Sequence, residues 1–462
     1  MISLSPREIA IIVGGTLNKI VDEGKKLNLI PVIDSRLATS ETFFAALPGE
    51  SADGHDFIGD AISHGAQFAL ASRATDYPSI IVSDVSLALT VLAKKNRTAL
   101  PDMKVVGITG SQGKTTAKDL LHHVLSAAGS TVASQASLNN ELGVPLTLLR
   151  CNESTAYCVA EMGARHRGDI AHLVEIAEPD VGVVLVVGKA HLGEFGSQAD
   201  IAQTKSEMIT GLSDKATAIL GTYDSFTPHM ADGRNMRTLK FGEKSSCDVR
   251  AADIELREGR AHFDLVTPEG RQAVSLQLLG MHQVANALAA AAVATALGVS
   301  LETIAAALST AEVSSKWRMA LIEKDELLLI NDSYNANPES TAAALRTLVL
   351  LAQERGGETW AILGKMHELG ESSIQEHQAI GRLASDIGVD HLVSVGTKDY
   401  LDAATDGEVG SEMVTHHYSD IPSALDVVKH FSPGDVVLVK ASRAEGFEVL
   451  AQGIIDQWKK SE

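Results

Sequence analysis

Cysteine is scarce in this chain. Its 462 residues include three, Cys151, Cys158 and Cys247. Three are too few for a disulfide framework, and their spacing lacks the CxxC pairs of a thiol-rich zinc site. Basic runs are absent too. The 39 Lys+Arg are outnumbered by 59 Asp+Glu, for a formal net charge of −20. A chain this acidic, with no Lys/Arg-rich stretch, is excluded as a sequence-independent nucleic-acid binder, which needs a basic surface. Long hydrophobic runs are missing as well. Near-continuous apolar stretches such as Ala287–Leu297 and Val183–Val187 fall far short of the ~18–20 residues that span a bilayer. The N-terminal MISLSPREIAIIVGG carries an apolar run of only five residues preceded by Glu8, so a secretory leader is not expected.

What is present is the balance of a globular protein, with 45% hydrophobic and 21% charged residues. At roughly 100–200 residues per domain, the length implies about two to four domains. A protein of a reducing, cytoplasmic compartment is expected, without an integral membrane segment.

The patterning is α/β throughout. Lys104–Ile108 reads as a short strand after Pro101. Thr115–Ala128 carries Leu120, Leu121, Val124 and Leu125 at helical spacing, with Gly129 expected as the left-handed closing residue. Tyr157–Ala160 and Val181–Val187 read as buried strands, and Val284–Leu297 as a helix stopped by Gly298. The pattern breaks near residues 311–316. Beyond it, strands at Leu327–Ile330, Trp360–Leu363, His391–Val395 and Val436–Val439 alternate with helices such as Glu339–Gln353 and Ile374–Ile387. Strand–helix alternation predicts a parallel, doubly wound sheet. The chain therefore divides at about 100 and about 313, into segments 1–100, 101–313 and 314–462.

The most informative stretch is Val106–Thr116, VGITGSQGKTT. A hydrophobic strand runs through Gly110, Ser111 and Gly113 into Lys114, Thr115, Thr116 and a helix. Glycines let backbone N–H groups turn toward a phosphate, and the helix N-terminus adds partial positive charge. Lys114 reaches the β/γ-phosphates, and the Thr115 hydroxyl suits Mg²⁺. The strict GxxxxGK[ST] pattern needs glycine where this chain has Ile108, so the loop is a variant. Guanine specificity would want an NKxD segment, which is absent; adenine is expected.

Phosphate transfer also needs acidic residues at neighbouring strand ends. Glu161 ends the Tyr157–Ala160 strand and is a candidate metal ligand, although a lone Glu there also suits a helix cap. His191 follows Val181–Val187 through a short Gly-containing loop, where it reads as a metal ligand or as an ordinary loop histidine. Lys205, on a predicted helix, reads by itself as a solvated surface lysine. Asp332, in NDSYNANP, and Lys440, in KASR, lie at carboxyl strand ends, where open α/β sheets place ligands. Asn, Asp, Ser and Pro also form ordinary turns.

Together these motifs resemble the Mur ligase family over nearly the whole chain and in the same order. Asp34-Ser35-Arg36 and Ala52–Ala66 look like the family's uridine-nucleotide domain. TGSQGKTT is similar to the family's TGxxGK[ST] loop, which accounts for Ile108. Leu138–Pro145, AHLGEFGS (Ala190–Ser197) and NDSYNANP resemble the dipeptide-adding branch.

The resemblance implies three α/β domains: a small N-terminal uridine-nucleotide domain, a central P-loop ATPase-like parallel sheet, and a C-terminal Rossmann-like domain that brings the incoming dipeptide. It implies an ATP-dependent acid–amino-acid ligase. UDP-N-acetylmuramoyl-tripeptide and D-alanyl-D-alanine would be joined through an acyl phosphate in peptidoglycan precursor synthesis. Lys114 and Thr115 would hold ATP and one of two Mg²⁺ ions. Glu161 and His191 match metal positions, and Lys205 matches a lysine carbamylated by CO₂ in several members. Asn286 matches an adenine neighbour, and Arg318 and Asp332 match ATP contacts. Ser35 and Arg36 match the uridine-nucleotide site, while Asn139 and Asn140 are assigned to substrate.

The chain departs from the family pattern at Gln283, Ala441, Lys365 and His367. A monomer is expected. The alternatives are another Mur ligase step, adding diaminopimelate or lysine, and a P-loop ATPase that makes no covalent product. Segment charges are −2 for 1–100, −7 for 101–313 and −11 for 314–462. Anion binding must therefore come from local features.

Overall fold

The computed structural model describes residues 1–49, 52–135, 138–188, 195–312, 316–401 and 413–459. It contains three sheets, whose strands fall within residues 16–81, 104–279 and 320–440.

The first sheet has five short strands, in the order Thr16–Asn18, Ser79–Ile81, Ala69–Ala71, Thr42–Ala45, Ile30–Val32. Only the first pair is antiparallel. Phe43 and Phe68 stack in its core, with ring centroids 5.3 Å apart.

The second sheet has nine strands. Lys104–Thr109 lies at its heart, between Tyr157–Glu161 and Val181–Val184 and parallel to both. Five of the six residues of Lys104–Thr109 are buried, as expected for a parallel strand covered on both faces. The chain leaves it for the Tyr157–Glu161 side and later returns on the Val181–Val184 side. Its carboxyl end is therefore a topological switch point, the usual place for a ligand crevice.

The expected strand Val181–Val187 ends at Val184. Leu185 and Val186 leave the ladder and bond the phosphate loop: the Leu185 N–H donates to the Thr109 carbonyl (3.0 Å) and the Ser111 N–H to the Val186 carbonyl (2.9 Å). The far edge holds a feature the sequence reading missed, an antiparallel meander of Val249–Arg257, Arg260–Thr267 and Gly270–Leu279.

Two helices form one face. Lys114–Ser126 buries Leu120, Leu121, Val124 and Leu125, the four residues read from spacing. Gly129 does not take the left-handed conformation expected of it. Its N–H donates to the Leu125 carbonyl at 2.8 Å, and the helix cap, Ala127, is right-handed. Gln283–Ala296, an alanine-rich helix, packs against Lys114–Ser126. Its small side chains let the two axes approach, which sets Asn286 beside the phosphate loop. Gly298 does close this segment with φ +79°.

The third sheet runs Ala320–Lys324, Leu327–Asn331, Val436–Lys440, Thr359–Leu363, His391–Val395, Val414–Tyr418. All neighbours but the first pair are parallel. The chain skips a place after Leu327–Asn331, and Val436–Lys440 later fills it. In that register Asn331 faces Val439, so Asp332 and Lys440 emerge side by side.

Candidate functional site

A cleft of about 880 Å³ opens between the second and third sheets. The phosphate loop and the N-terminus of Lys114–Ser126 form its floor, and Arg318, Asp332, Tyr334 and Lys440 face them from the C-terminal side.

Gly113 is the pivot, with φ +78°. A Cβ there would stand 2.3 Å from Asn286 Oδ1 as well as being strained. Asn286 is held in turn, its amide donating to Gln283 Oε1 at 2.8 Å. The side chain of Lys114 curls back, and Nζ donates to the Gly110 carbonyl at 2.8 Å. Burial pulls this amine's pKa below its ordinary value; the Glu161 carboxylate partly offsets that, and Arg318 adds to it. Ser111 Oγ accepts from the Gly188 N–H at 2.9 Å, tying the loop to the chain after Val184.

Thr115 Oγ1 accepts a hydrogen bond from Arg318 at 3.0 Å, a direct link between the two sheet systems. The Arg318 guanidinium also lies 4.1 Å above the Tyr334 ring. Its buried Nε has no hydrogen-bond partner among the described residues.

Glu161 is 1% exposed. Asn139 donates to its Oε1 at 2.9 Å, while Oε2 has no partner among the described residues. A buried carboxylate oxygen with no donor fits a cation. Among the described residues no group of three or more His, Cys, Asp or Glu forms a protein-only metal cage. The orphaned Glu161 oxygen suits an ion such as Mg²⁺, which is typically held by one or two carboxylates with substrate phosphates and water.

Lys205 is buried on the Gln198–Thr210 helix, against the solvated reading of the bare sequence. Burial drives its amine well below the ordinary lysine range, and the nearby Lys114 charge adds to this. His191 lies outside the described residues.

Asp332 and Lys440 form a buried ion pair. Asp332 Oδ1 also accepts from the Met319 N–H at 3.1 Å, and Lys440 donates to the Asn335 carbonyl at 2.9 Å. His282 lines the cleft beside them, and removal of water around its ring lowers its pKa to about 4.

The structure brings together Ser111, Gly113, Lys114, Thr115, Thr116, Asn139, Glu161, Asn286, Arg318 and Asp332 on this cleft. Asn140 is not among them. It is exposed and caps the turn into Gly143–Leu148, accepting from the Gly143 N–H at 3.0 Å. Ser35 and Arg36 lie on the first sheet system, away from the cleft. There Asp34 caps the turn and pairs with Arg36 at 2.6 Å. Sequence reasoning missed the aromatic lining by Tyr223 and Phe241, and also Arg165, Glu339 and Tyr334. Only Tyr334 carried a signal, its place inside NDSYNANP.

A P-loop-type sheet whose phosphate site is completed by a second α/β unit defines a two-domain nucleotide cleft of the kind used for phosphoryl transfer. The chain belongs to the Mur ligase family. It matches the family's catalytic domain over residues 32–111, the Mur ligase middle domain over 108–294 and the glutamate ligase domain over 317–443. It is 38% identical to the UDP-N-acetylmuramoyl-tripeptide–D-alanyl-D-alanine ligase of Mycobacterium tuberculosis, with 98% of each chain covered. Among solved structures it resembles the UDP-N-acetylmuramoylalanyl-D-glutamyl-2,6-diaminopimelate–D-alanyl-D-alanyl ligase of Acinetobacter baumannii at 32% identity. The TM-score is 0.83, over 98% of this chain and 99% of that one. It also resembles the MurF ligase of Thermotoga maritima in complex with ADP, at 29% identity and TM-score 0.78, over 93% and 98%.

Proposed function

We propose that this chain is an ATP-dependent amide ligase that joins D-alanyl-D-alanine to UDP-N-acetylmuramoyl-tripeptide, releasing ADP and phosphate. The observation that carries the reading is the Arg318–Thr115 bond across the cleft. It sets the phosphate loop of one unit against the Asp332–Lys440 corner of the other, as a reaction with a nucleotide and two further substrates requires.

A carboxylate is a poor electrophile because its leaving group would be oxide. The tripeptide carboxylate therefore attacks the ATP γ-phosphorus, expelling ADP and forming an acyl phosphate. The free amine of the dipeptide then attacks the acyl carbon, the amide bond forms, and phosphate leaves with its electron pair. The protein's share is positioning and charge. Lys114, half-buried and already bonded into the loop, offsets phosphate charge. Arg318 steadies the nucleotide from the opposite wall, and Asn286 and His282 border the base end. Walls from both units exclude water that would hydrolyse the acyl phosphate.

Thr115 and Glu161 are the residues to hold Mg²⁺, which supplies neutralisation of the phosphate oxygens. Two ions are proposed, with Lys205 as a carbamate serving the second. A lysine held well below its ordinary pKa keeps the neutral amine that CO₂ requires. The proposed division of labour is 1–100 for the UDP-sugar peptide, 101–313 for ATP and 314–462 for the dipeptide. The protein is proposed to act as a cytoplasmic monomer. No helix among the described residues is long and apolar enough to cross a membrane.

The test is phosphate release from ATP and Mg²⁺ with each co-substrate omitted in turn. Release that needs both UDP-muramoyl-tripeptide and D-alanyl-D-alanine is expected. Release with neither would indicate a non-ligating ATPase. Turnover with UDP-muramoyl-dipeptide plus diaminopimelate or lysine would indicate the preceding ligase step.

A further inference from the structure

A second hollow, of about 250 Å³, adjoins the loop that follows Glu161. Arg165, His166 and Arg167 line it together with Phe195, Gln203 and Thr204. Arg165 also lines the main cleft, alongside Glu161 and Asn139. The hollow therefore adjoins the cleft on its Glu161 side.

Three observations mark it as a built site for anions. First, Arg165 and Arg167 are exposed and have no ion-pair partner among the described residues. Second, the carboxylates beside them are committed to backbone. Asp169 accepts from the Arg165 and His166 N–H groups at 2.9 and 2.8 Å. Glu207 accepts from the Gly168 and Ala171 N–H groups at 2.8 and 3.1 Å. The Asp200 carboxylate, which also borders the hollow, accepts instead from the Ser197 hydroxyl at the start of its own helix. These contacts pin the loop and leave both guanidinium forks without an ion-pair partner among the described residues, although the carboxylates keep their charge. Third, Thr204 is 1% exposed, and its Oγ1 has no hydrogen-bond partner among the described residues. A buried hydroxyl without a partner is costly unless something arrives to bond it.

We propose that Arg165 and Arg167 receive the carboxylates of the acyl-donor peptide that do not react, with the Thr204 hydroxyl as a further contact. This rests on the ligase reading above. A D-glutamyl residue linked through one carboxyl keeps the other free. A third residue such as diaminopimelate keeps a further one after its reacting carboxyl is placed at the phosphate. Guanidinium forks bind carboxylates bidentately, which fixes the peptide's direction as well as its affinity.

The experiment is steady-state kinetics of wild type, Arg165→Ala, Arg167→Ala, Arg165→Lys and Thr204→Val, with donor peptides ending in diaminopimelate and in lysine. Each Arg→Ala variant should raise KM for the donor by about tenfold or more. kcat and the KM values for ATP and D-alanyl-D-alanine should stay within about threefold, with Arg165→Lys recovering part of the loss. An effect equal for both donors assigns the D-glutamyl carboxylate. An effect confined to the diaminopimelate donor assigns the third residue; either supports the subsite. An unchanged donor KM for both, or a rise for ATP or the dipeptide instead, overturns it. A wild type that makes no product overturns the ligase reading and the subsite with it. Unchanged thermal melting of the Arg variants, whose side chains are exposed, separates binding from folding.

Discussion

Lys114 and Arg36 are both cations proposed to meet the anionic groups of a ligand, yet they sit in opposite physical settings. Lys114 is half-buried in the loop, already bonded to the Gly110 carbonyl, and its charge is costly to keep there. Arg36 has 84% of its side chain exposed, and its fork is closed on Asp34. In the first setting, folding has already met the desolvation cost, and low local polarity strengthens every interaction with an arriving anion. In the second, water and salt screen the charge, and the ligand must share the guanidinium with a carboxylate. On the proposed function, the cleft acts on its anion and the Asp34–Arg36 turn only holds one. The charge distribution agrees: residues 1–100 are nearly neutral at −2, so no general field helps Arg36.

The largest effect expected from this contrast is at Lys114. Lys114→Ala should lower kcat for amide formation at least a hundredfold to a thousandfold, the scale for losing a preorganised charge at a reacting centre. Coupled measurement of ADP and amide product checks it. A variant that retained both, at near wild-type rates, would remove Lys114 from the chemistry and erase the distinction from Arg36.

Lys205 extends the same contrast to a second, more deeply buried lysine. Its amine lies well below the ordinary range because it is buried and near the Lys114 charge. Protonation is therefore lost at lower pH than for a surface lysine, and carbamylation, which consumes the neutral amine, is favoured as pH rises through that depressed value. Lys205→Ala should cost about ten- to a hundredfold in activity, the range for losing a group that orients a metal. Short carboxylates added to the assay should restore part of it. Full activity in the variant without any additive would remove the carbamate role.

These two lysines also show how far the sequence could be read. The phosphate loop was legible because everything that shapes it is local: a buried strand, a glycine needing positive φ, and a helix with apolar residues at the right spacing. Lys205 was not, because its burial comes from the packing of its helix, through Met208 and Ile209, against Lys104–Thr109 and Val181–Val184, strands that come from distant segments. Only the family resemblance flagged it. The role of Asn139 as a partner of Glu161 was invisible for the same reason, since the two are 22 residues apart. The meander over 249–279 was missed differently. The burial of Arg260–Thr267 alternates strictly, and that period was present in the sequence but went unread beside the more regular strand–helix units. Val181–Val187 was overextended because Leu185–Val187 are as apolar as a strand, although they serve the loop.

The smallest effects belong to Asp34 and Arg36, and they probe the comparison most finely. Hydrogen bonds from Arg36, with its charge, hold the Asp34 carboxyl at about pKa 2. Its folded pKa lies below the unfolded value near 3.9, so whatever stability it adds is present above about pH 4 and fades as pH falls toward 2. Because the pair is exposed, that contribution is small, and Asp34→Asn should leave the melting temperature at neutral pH almost unchanged. Arg36→Ala should raise KM for the nucleotide-sugar peptide about three- to tenfold without altering kcat, and wild-type KM should climb with ionic strength as screening weakens the contact. The kcat that depends on Lys114 should be far less sensitive to salt, because partly buried charges are screened much less than exposed ones. Should kcat fall with salt as steeply as KM rises, the cleft would be as open to solvent as the Asp34–Arg36 turn, and burial could not be what separates the two cations.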